Sequence, residues 1–360
     1  MISLLVFLFI LGLLITVHEF GHFIMAKKAG VRVEKFSLGC GPVLIRREKG
    51  GTEYSICAIP FAGYVKLAGD NLEEYKGKSD EYFSKPIGKR FLIIFFGPLL
   101  NYILGFLCFW LIFVIGYPNL TTKVGSLLDN FGAKEAGLQV GDKILAVDGQ
   151  KVGTWEELQK IIQDKKENNK VSLSVSRDNK EFSLGVMVKE KKVNDPLGER
   201  QSVGLLGITP ADEIIKIRHG FMRSFILAVD KTKQLTVITY KGLWRMLTGN
   251  LSIRESVTGP LGIFIITSKV ANMGPIAVLQ FIAILSISLC LFNILPLPIL
   301  DGGHIFLLGV EKIRGKTLSA RLERIVNQTG LALIITLALL VTYNDILRLF
   351  GDRIGKFFVR

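Results

Sequence analysis

The sequence predicts a multi-span α-helical membrane protein interrupted by a soluble, β-rich insert. Three observations carry that expectation. Apolar residues make up 49% of the 360, with 24 Phe among them, and the mean hydropathy is +0.40. A soluble chain of this size needs more polar surface than that to cover its core. Four apolar runs have the length, roughly 20 residues, that a helix needs to cross a bilayer. The net charge of +14 is concentrated in the loops between those runs, which explains the high isoelectric point without nucleic acid. The balance is too apolar for disorder. Cys40, Cys57, Cys108 and Cys290 form no CxxC pair, so neither a disulfide framework nor a cysteine-based zinc site is expected.

Each element follows in order. The first run, Ile2 to Ala26, stops at Lys27-Lys28. A cleavable signal peptide is excluded here: the start carries no positive side chain, no A-x-A site follows, and His18, Glu19 and His22 sit inside the run. Between Phe36 and Leu67, two strand-like stretches flank the turn-forming Glu48-Lys-Gly-Gly51, which predicts antiparallel strands. The second run spans Phe91 to about Gly116. The insert from Thr121 to Pro210 alternates with period two at Val171-Ser-Leu-Ser-Val, as a half-buried strand does. Within it, Trp155-Glu-Glu-Leu-Gln-Lys-Ile-Ile suits a short helix with Thr154 as N-cap. From Glu213 to Thr248 apolar residues recur at helical spacing but are interrupted by Lys216, Arg223, Lys231, Lys233, Lys241 and Arg245. An amphipathic helix on the membrane surface fits this better than a fifth span. The third run extends from Val270 to Leu300, with Gly274-Pro275 at its start, and the fourth from Ile325 to Asn344. The expected divisions are therefore a first membrane half at 1–120, the insert at 121–210, amphipathic membrane-surface helices at 211–255 and a second membrane half at 256–360.

Basic residues set the orientation. Lys27, Lys28, Arg32, Lys35, Arg46, Arg47 and Lys49 follow run one, and Lys312, Arg314, Lys316, Arg321 and Arg324 follow run three. Both loops are expected on the cytoplasmic side, with the N-terminus and the insert opposite. The basic tail at Arg353, Lys356 and Arg360 runs against this rule.

The sharpest chemical signal is His18-Glu19-Phe20-Gly21-His22. Two His at i and i+4 share one helical face and can reach one Zn²⁺. Glu19 beside the first ligand is placed to act as general base. Such residues in an apolar span are costly unless functional or paired. A third ligand is needed, and Asp301 leads in Asn293-Ile-Leu-Pro-Leu-Pro-Ile-Leu-Asp301-Gly-Gly-His304, with His304 as its rival. A helix from Pro275 to Leu295 rises about 30 Å, and His22 lies about 7 Å below Lys27. The two motifs therefore reach similar depth from opposite sides.

These motifs, together with Gly97-Pro-Leu-Leu-Asn101 and Ser256-Val-Thr-Gly-Pro-Leu-Gly262, make the chain similar to the site-2 protease family of intramembrane zinc metalloproteases. It most resembles the regulator of sigma-E protease type. Ala136-Gly-Leu-Gln-Val-Gly-Asp-Lys-Ile-Leu-Ala-Val-Asp-Gly and Leu205-Leu-Gly-Ile208 resemble a PDZ domain in its circularly permuted bacterial form. Many family members carry two in tandem; this chain has room for one. The resemblance implies four transmembrane helices with a membrane-associated β-sheet and an extracytoplasmic circularly permuted PDZ domain. It implies zinc held by His18, His22 and Asp301, with Glu19 as base. It implies substrate-binding roles for Asn293, Asn101, Gly63, Tyr64 and Val65, the last three on a sheet that dips into the membrane beside the site. For Asn101 a helix–helix hydrogen bond competes with that role. The implied location is a bacterial inner membrane. The implied substrates are single-span membrane proteins such as an anti-sigma factor, trimmed beforehand by another protease, with a new C-terminus as the PDZ ligand.

Overall fold

The computed structural model describes residues 2–59, 63–165, 169–195, 198–252 and 256–358. Pro60, Phe61 and Ala62 of the expected second strand, and Arg360 of the basic tail, lie outside them. The chain forms two compact units, one from Met1–Ile112 with Phe225–Arg360 and the other from Phe113–Ser224. Among the described residues four helices are long and apolar enough to cross a membrane: Ile2–Ala29, Ile87–Ile115, Pro275–Asn293 and the stretch Ala320–Arg348. Large apolar side chains such as Phe9, Leu111 and Leu339 stay exposed along them, the surface that lipid covers.

In the first unit, α1 (Ile2–Ala29) ends where Gly30 turns left-handed (φ 73°). The Val31 N–H then closes onto the Ala26 carbonyl at 2.9 Å, and Lys27 and Lys28 sit in the last turn, where the helix dipole favours them. A four-stranded sheet follows, built from β1 (Val33–Leu38), β2 (Cys40–Lys49), β3 (Thr52–Ile59) and β4 (Tyr64–Leu67) in the order β2-β3-β1-β4. Gly50 and Gly51, both at positive φ, make the two-residue turn that pairs Lys49 with Thr52, as such hairpins require. One pairing departs from the antiparallel expectation: β3 slots between β2 and β1 and runs parallel to β1. Gly39 (φ 87°) and Gly41 (φ 84°) reverse the chain between β1 and β2. A side chain at Gly39 would lie 2.7 Å from the Ile59 carbonyl oxygen, so the reversal depends on glycine. β4 is left as an edge strand, antiparallel to β1.

The second span, α2 (Ile87–Ile115), contains Pro98. It crosses α1 at very short range. A Cβ on Gly21 would lie 2.2 Å from the Phe96 carbonyl oxygen, and one on Gly97 would lie 2.3 Å from His22 Nε2. Gly105 gives the same close approach to Ala283 and Ile287 of the third span, the small-residue packing that membrane helices use.

The second unit is a β domain with one hydrophobic core, centred on Val124, Ile144, Val147, Leu158, Val171, Leu173, Val175 and Val186. Its elements are β5 (Tyr117–Leu120), β6 (Val124–Leu127), α3 (Gly132–Glu135), β7 (Lys143–Val147), β8 (Gln150–Lys151), α4 (Trp155–Gln163), β9 (Lys170–Arg177), β10 (Lys180–Met187), β11 (Lys189–Asn194), β12 (Arg200–Leu205), β13 (Ile208–Pro210) and β14 (Ile214–Ile217). The expected alternation holds, with Val171, Leu173 and Val175 all buried. Thr154 does cap α4, its Oγ1 accepting the Glu157 N–H at 3.2 Å. The last short strand of the Leu205-Leu-Gly-Ile208 turn, β13, pairs with the early strand β6, so the domain closes end to beginning. Arg177 donates to both carboxylate oxygens of buried Asp142, at 2.6 and 2.7 Å, and this pairing holds the Asp142 carboxyl below its usual range.

Helix α5 (Phe221–Leu247) is not among the four apolar enough to cross. Phe225 packs edge-on against Phe106 and Trp110 of α2, and Thr236 meets the Tyr102 hydroxyl at 3.0 Å. The order of these contacts makes α5 antiparallel to α2, with buried Ala228 and Thr232 between them. Part of its apolar stripe thus packs on a neighbouring span.

Helix α6 (Pro260–Asn272) packs on α1 through Phe264 on Phe7 and Ser268 on Ser3. Its first turn is capped from afar: the buried Asp345 carboxylate accepts the Gly259 and Gly262 N–H groups at 3.2 and 2.9 Å. This is the negative charge that a helix N-terminus favours. Helix α7 (Pro275–Asn293) is the third span and starts with Pro at its first position. The prolines at 296 and 298 end it. Helix α8 (Asp301–Arg314) then folds back on the turn, and α9 (Ala320–Phe358) carries Asp345.

A candidate metal centre between the first and third spans

Three ligand-type side chains converge. His18 Nε2 lies 3.1 Å from Asp301 Oδ2, His22 Nε2 lies 3.5 Å from Asp301 Oδ1, and the two His Nε2 atoms are 3.2 Å apart. Tetrahedral bonds of about 2.0–2.2 Å place ligand atoms roughly 3.3 Å from one another, so this triangle fits one zinc ion. Both His come from successive turns of α1. Asp301 comes from the first turn of α8, where the helix dipole favours a carboxylate.

The turn before Asp301 is built to bring it there. A Cβ on Gly302 would lie 2.1 Å from the Ile294 carbonyl oxygen, and one on Gly303 would lie 2.2 Å from that of Leu297. No residue with a side chain fits at either position. Ile299 adopts φ 74°, a strained conformation for a β-branched residue. The glycine pair was visible in the sequence; the strain at Ile299 had no sequence signal.

Second contacts aim the imidazoles. His22 Nδ1 donates to the Ile93 carbonyl at 2.9 Å. That carbonyl lies one turn before Gly97-Pro98 in α2. Gly97 leaves the space that the His22 ring occupies. Gly97-Pro98 is thus part of the centre although neither residue is a ligand. The sequence signal was the motif itself, and its role emerges only from the crossing of α1 and α2.

The other expected site residues separate into groups. Glu19 and Val65 of the edge strand β4 line the same cavity beside the ligand triangle. Gly63 sits against Ile15 and Glu19, with room for little more than hydrogen. Tyr64 is largely exposed and pairs with Ser37. Asn293 is the last residue of α7, partly exposed just before the Asp301 turn. Asn101 is fully buried: its carbonyl accepts the Ser286 hydroxyl of α7 at 2.7 Å, and its side chain lies 3.5 Å from His18 Nδ1. The helix–helix hydrogen bond that competes with a substrate-binding role for Asn101 is thus present, through its backbone carbonyl. His304 stands outside the ligand triangle.

A cavity of about 300 Å³ opens from this centre. Glu19, His22, Asp301, His304 and Val65 line one end, and the Arg90–Glu311 pair lines the other. Arg90 is 3% exposed, donates to both Glu311 oxygens and lies over the rings of Tyr82 and Phe83. The pair joins residues 221 positions apart, a contact that no local sequence signal reports.

The chain matches Peptidase family M50 over residues 6–337. It is 29% identical to the regulator of sigma-E protease RseP of Escherichia coli, covering 95% of this chain and 98% of that protein. That alignment runs over 447 positions, so the relative contains a segment absent from these 360 residues. A zinc metalloprotease of Campylobacter jejuni is 32% identical, covering 95% of this chain and 93% of the relative over 347 positions. Among solved structures, the PDZ domain of an SdrC-like protein from Listeria monocytogenes is 24% identical. It covers 25% of this chain and 86% of that one, with a TM-score of 0.21.

Proposed function

Because the chain belongs to Peptidase family M50 and is a zinc metalloprotease, we propose that it hydrolyses peptide bonds within or beside the transmembrane segments of other membrane proteins. The observation that carries this reading is the convergence of His18 and His22, on a helix long and apolar enough to span a bilayer, with Asp301, from the short helix that follows another such span, with Glu19 beside them. His18, His22 and Asp301 hold the ion. When bound, zinc supplies a Lewis acid that polarises the scissile carbonyl and acidifies water. Glu19 takes the proton from the attacking water and returns it to the leaving amine.

A helical substrate hides its backbone and has to unwind first. The extended segment then pairs with the open edge of β4 by strand addition, using Gly63, Tyr64 and Val65, while Asn293 holds the substrate backbone from the other side. An edge strand in a membrane is tolerated when protein or a partner satisfies it. The domain at 121–210 is a circularly permuted PDZ domain; the pairing of β13 with β6 supports that reading. It lies outside the cytoplasm with the N-terminus, and inspects substrates whose external part another protease has trimmed. The chain sits in a bacterial inner membrane. Its substrates are single-span membrane regulators such as an anti-sigma factor; relatives named regulator of sigma-E protease support a regulatory role. The test is cleavage of a single-span substrate by the purified chain in detergent. Cleavage that requires zinc and stops in Glu19→Gln supports the reading, and cleavage that survives either change overturns it.

A further inference from the structure

We propose that Asn101 is a positioning residue of the metal centre: its amide oxygen accepts the hydrogen on His18 Nδ1 and fixes the ring with Nε2 toward the other ligands. This rests on the metal-centre reading above. His18 turns Nε2 to Asp301 at 3.1 Å and to His22 at 3.2 Å, so Nε2 is the ligating nitrogen. The neutral ring then carries its hydrogen on Nδ1. His22 shows what such a ring requires, since its own Nδ1–H has the Ile93 carbonyl as acceptor at 2.9 Å. A ligating imidazole with an acceptor behind it is held in one tautomer and one orientation.

At His18 the group behind the ring is the Asn101 side chain. As placed, the amide nitrogen lies 3.5 Å from Nδ1, which sets a donor against a donor. The amide oxygen is buried and has no hydrogen-bond partner among the described residues. An unpaired buried acceptor costs about 1–3 kcal/mol. Oxygen and nitrogen of an amide exchange by a half-turn that leaves its shape unchanged. After that half-turn the oxygen faces Nδ1–H and the orphan is gone. Asn101 is 0% exposed, so it presents no surface to a substrate. Its carbonyl is held by Ser286, which ties the ring orientation to the packing of α2 on α7. A neutral amide also costs less to bury there than a carboxylate.

The experiment measures zinc affinity of the full chain in detergent, without substrate, by competition with a chromogenic chelator. Asn101→Leu removes the acceptor and is expected to weaken zinc binding by roughly 10- to 100-fold. Asn101→Asp keeps an acceptor and is expected to stay within a few-fold of wild type. If the Leu variant does not fold, Asn101→Ala takes its place in the comparison. Wild-type affinity in the Leu or Ala variant overturns the proposal. So does an Asp variant as weak as Leu, which would reduce the residue to packing. Failure of the metal-centre reading looks different, because His18→Ala would then leave zinc binding by the wild-type framework unchanged.

Discussion

Glycine and proline residues decide more of this centre than their size suggests. Gly97 is the most demanding, since a methyl group there would sit 2.3 Å from His22 Nε2. Gly97→Ala is expected to push the ring off the triangle and weaken zinc binding at least ten-fold, read by the same chelator competition. The ligand assignment itself is tested by a pair of substitutions. Asp301→Ala should lose both zinc and activity, whereas His304→Ala should keep most of its bound zinc, because His304 lies outside the triangle. Metal analysis showing the reverse would move the ligand role to His304. The mixed result for Asn101 belongs at this scale too. Which atoms of Asn101 do what depends on the crossing of three helices, and no spacing within one helix reports that.

The secondary elements were legible in proportion to how local their causes are. The Gly50-Gly51 hairpin, the Thr154 cap and the alternation at Val171–Val175 are each written in a few adjacent residues, and each appears as expected. The parallel pairing of β1 with β3 was not legible, because it depends on β3 entering between two strands made before it. The capping of α6 by Asp345 is of the same kind, since its partners lie 83 and 86 residues apart. At this scale β4 carries a prediction. Val65→Pro removes the backbone N–H that the sheet or a paired substrate would use. A large loss of cleavage with zinc content retained is the expected outcome. Normal cleavage by the folded variant would remove β4 as the docking edge.

For the whole molecule, the insert and the metal centre belong to separate compact units, and that separation makes a test feasible. Replacing Thr121–Pro210 by a flexible linker should preserve zinc binding and cleavage of a short, trimmed substrate. Discrimination against substrates with large external domains should relax. Side-by-side assays of trimmed and untrimmed substrates read the effect, and an unchanged ratio would leave the domain a role in partner binding or localisation rather than gating. The four apolar runs were readable in the sequence as segments long enough to cross a bilayer. The meeting of His18 and His22 with Asp301 joins residues about 280 positions apart, and no local pattern in the sequence reports such a contact.

The ligand triangle draws two of its corners from the first helix and the third from a residue near the far end of the chain. During synthesis, His18 and His22 reach the membrane long before Asp301 leaves the ribosome. The growing chain therefore holds at most two of the three groups until the segment around Asp301 has been made. Assembly of the metal centre thus waits on a late event, the meeting of the first helix with a stretch of chain synthesised about 280 residues after it.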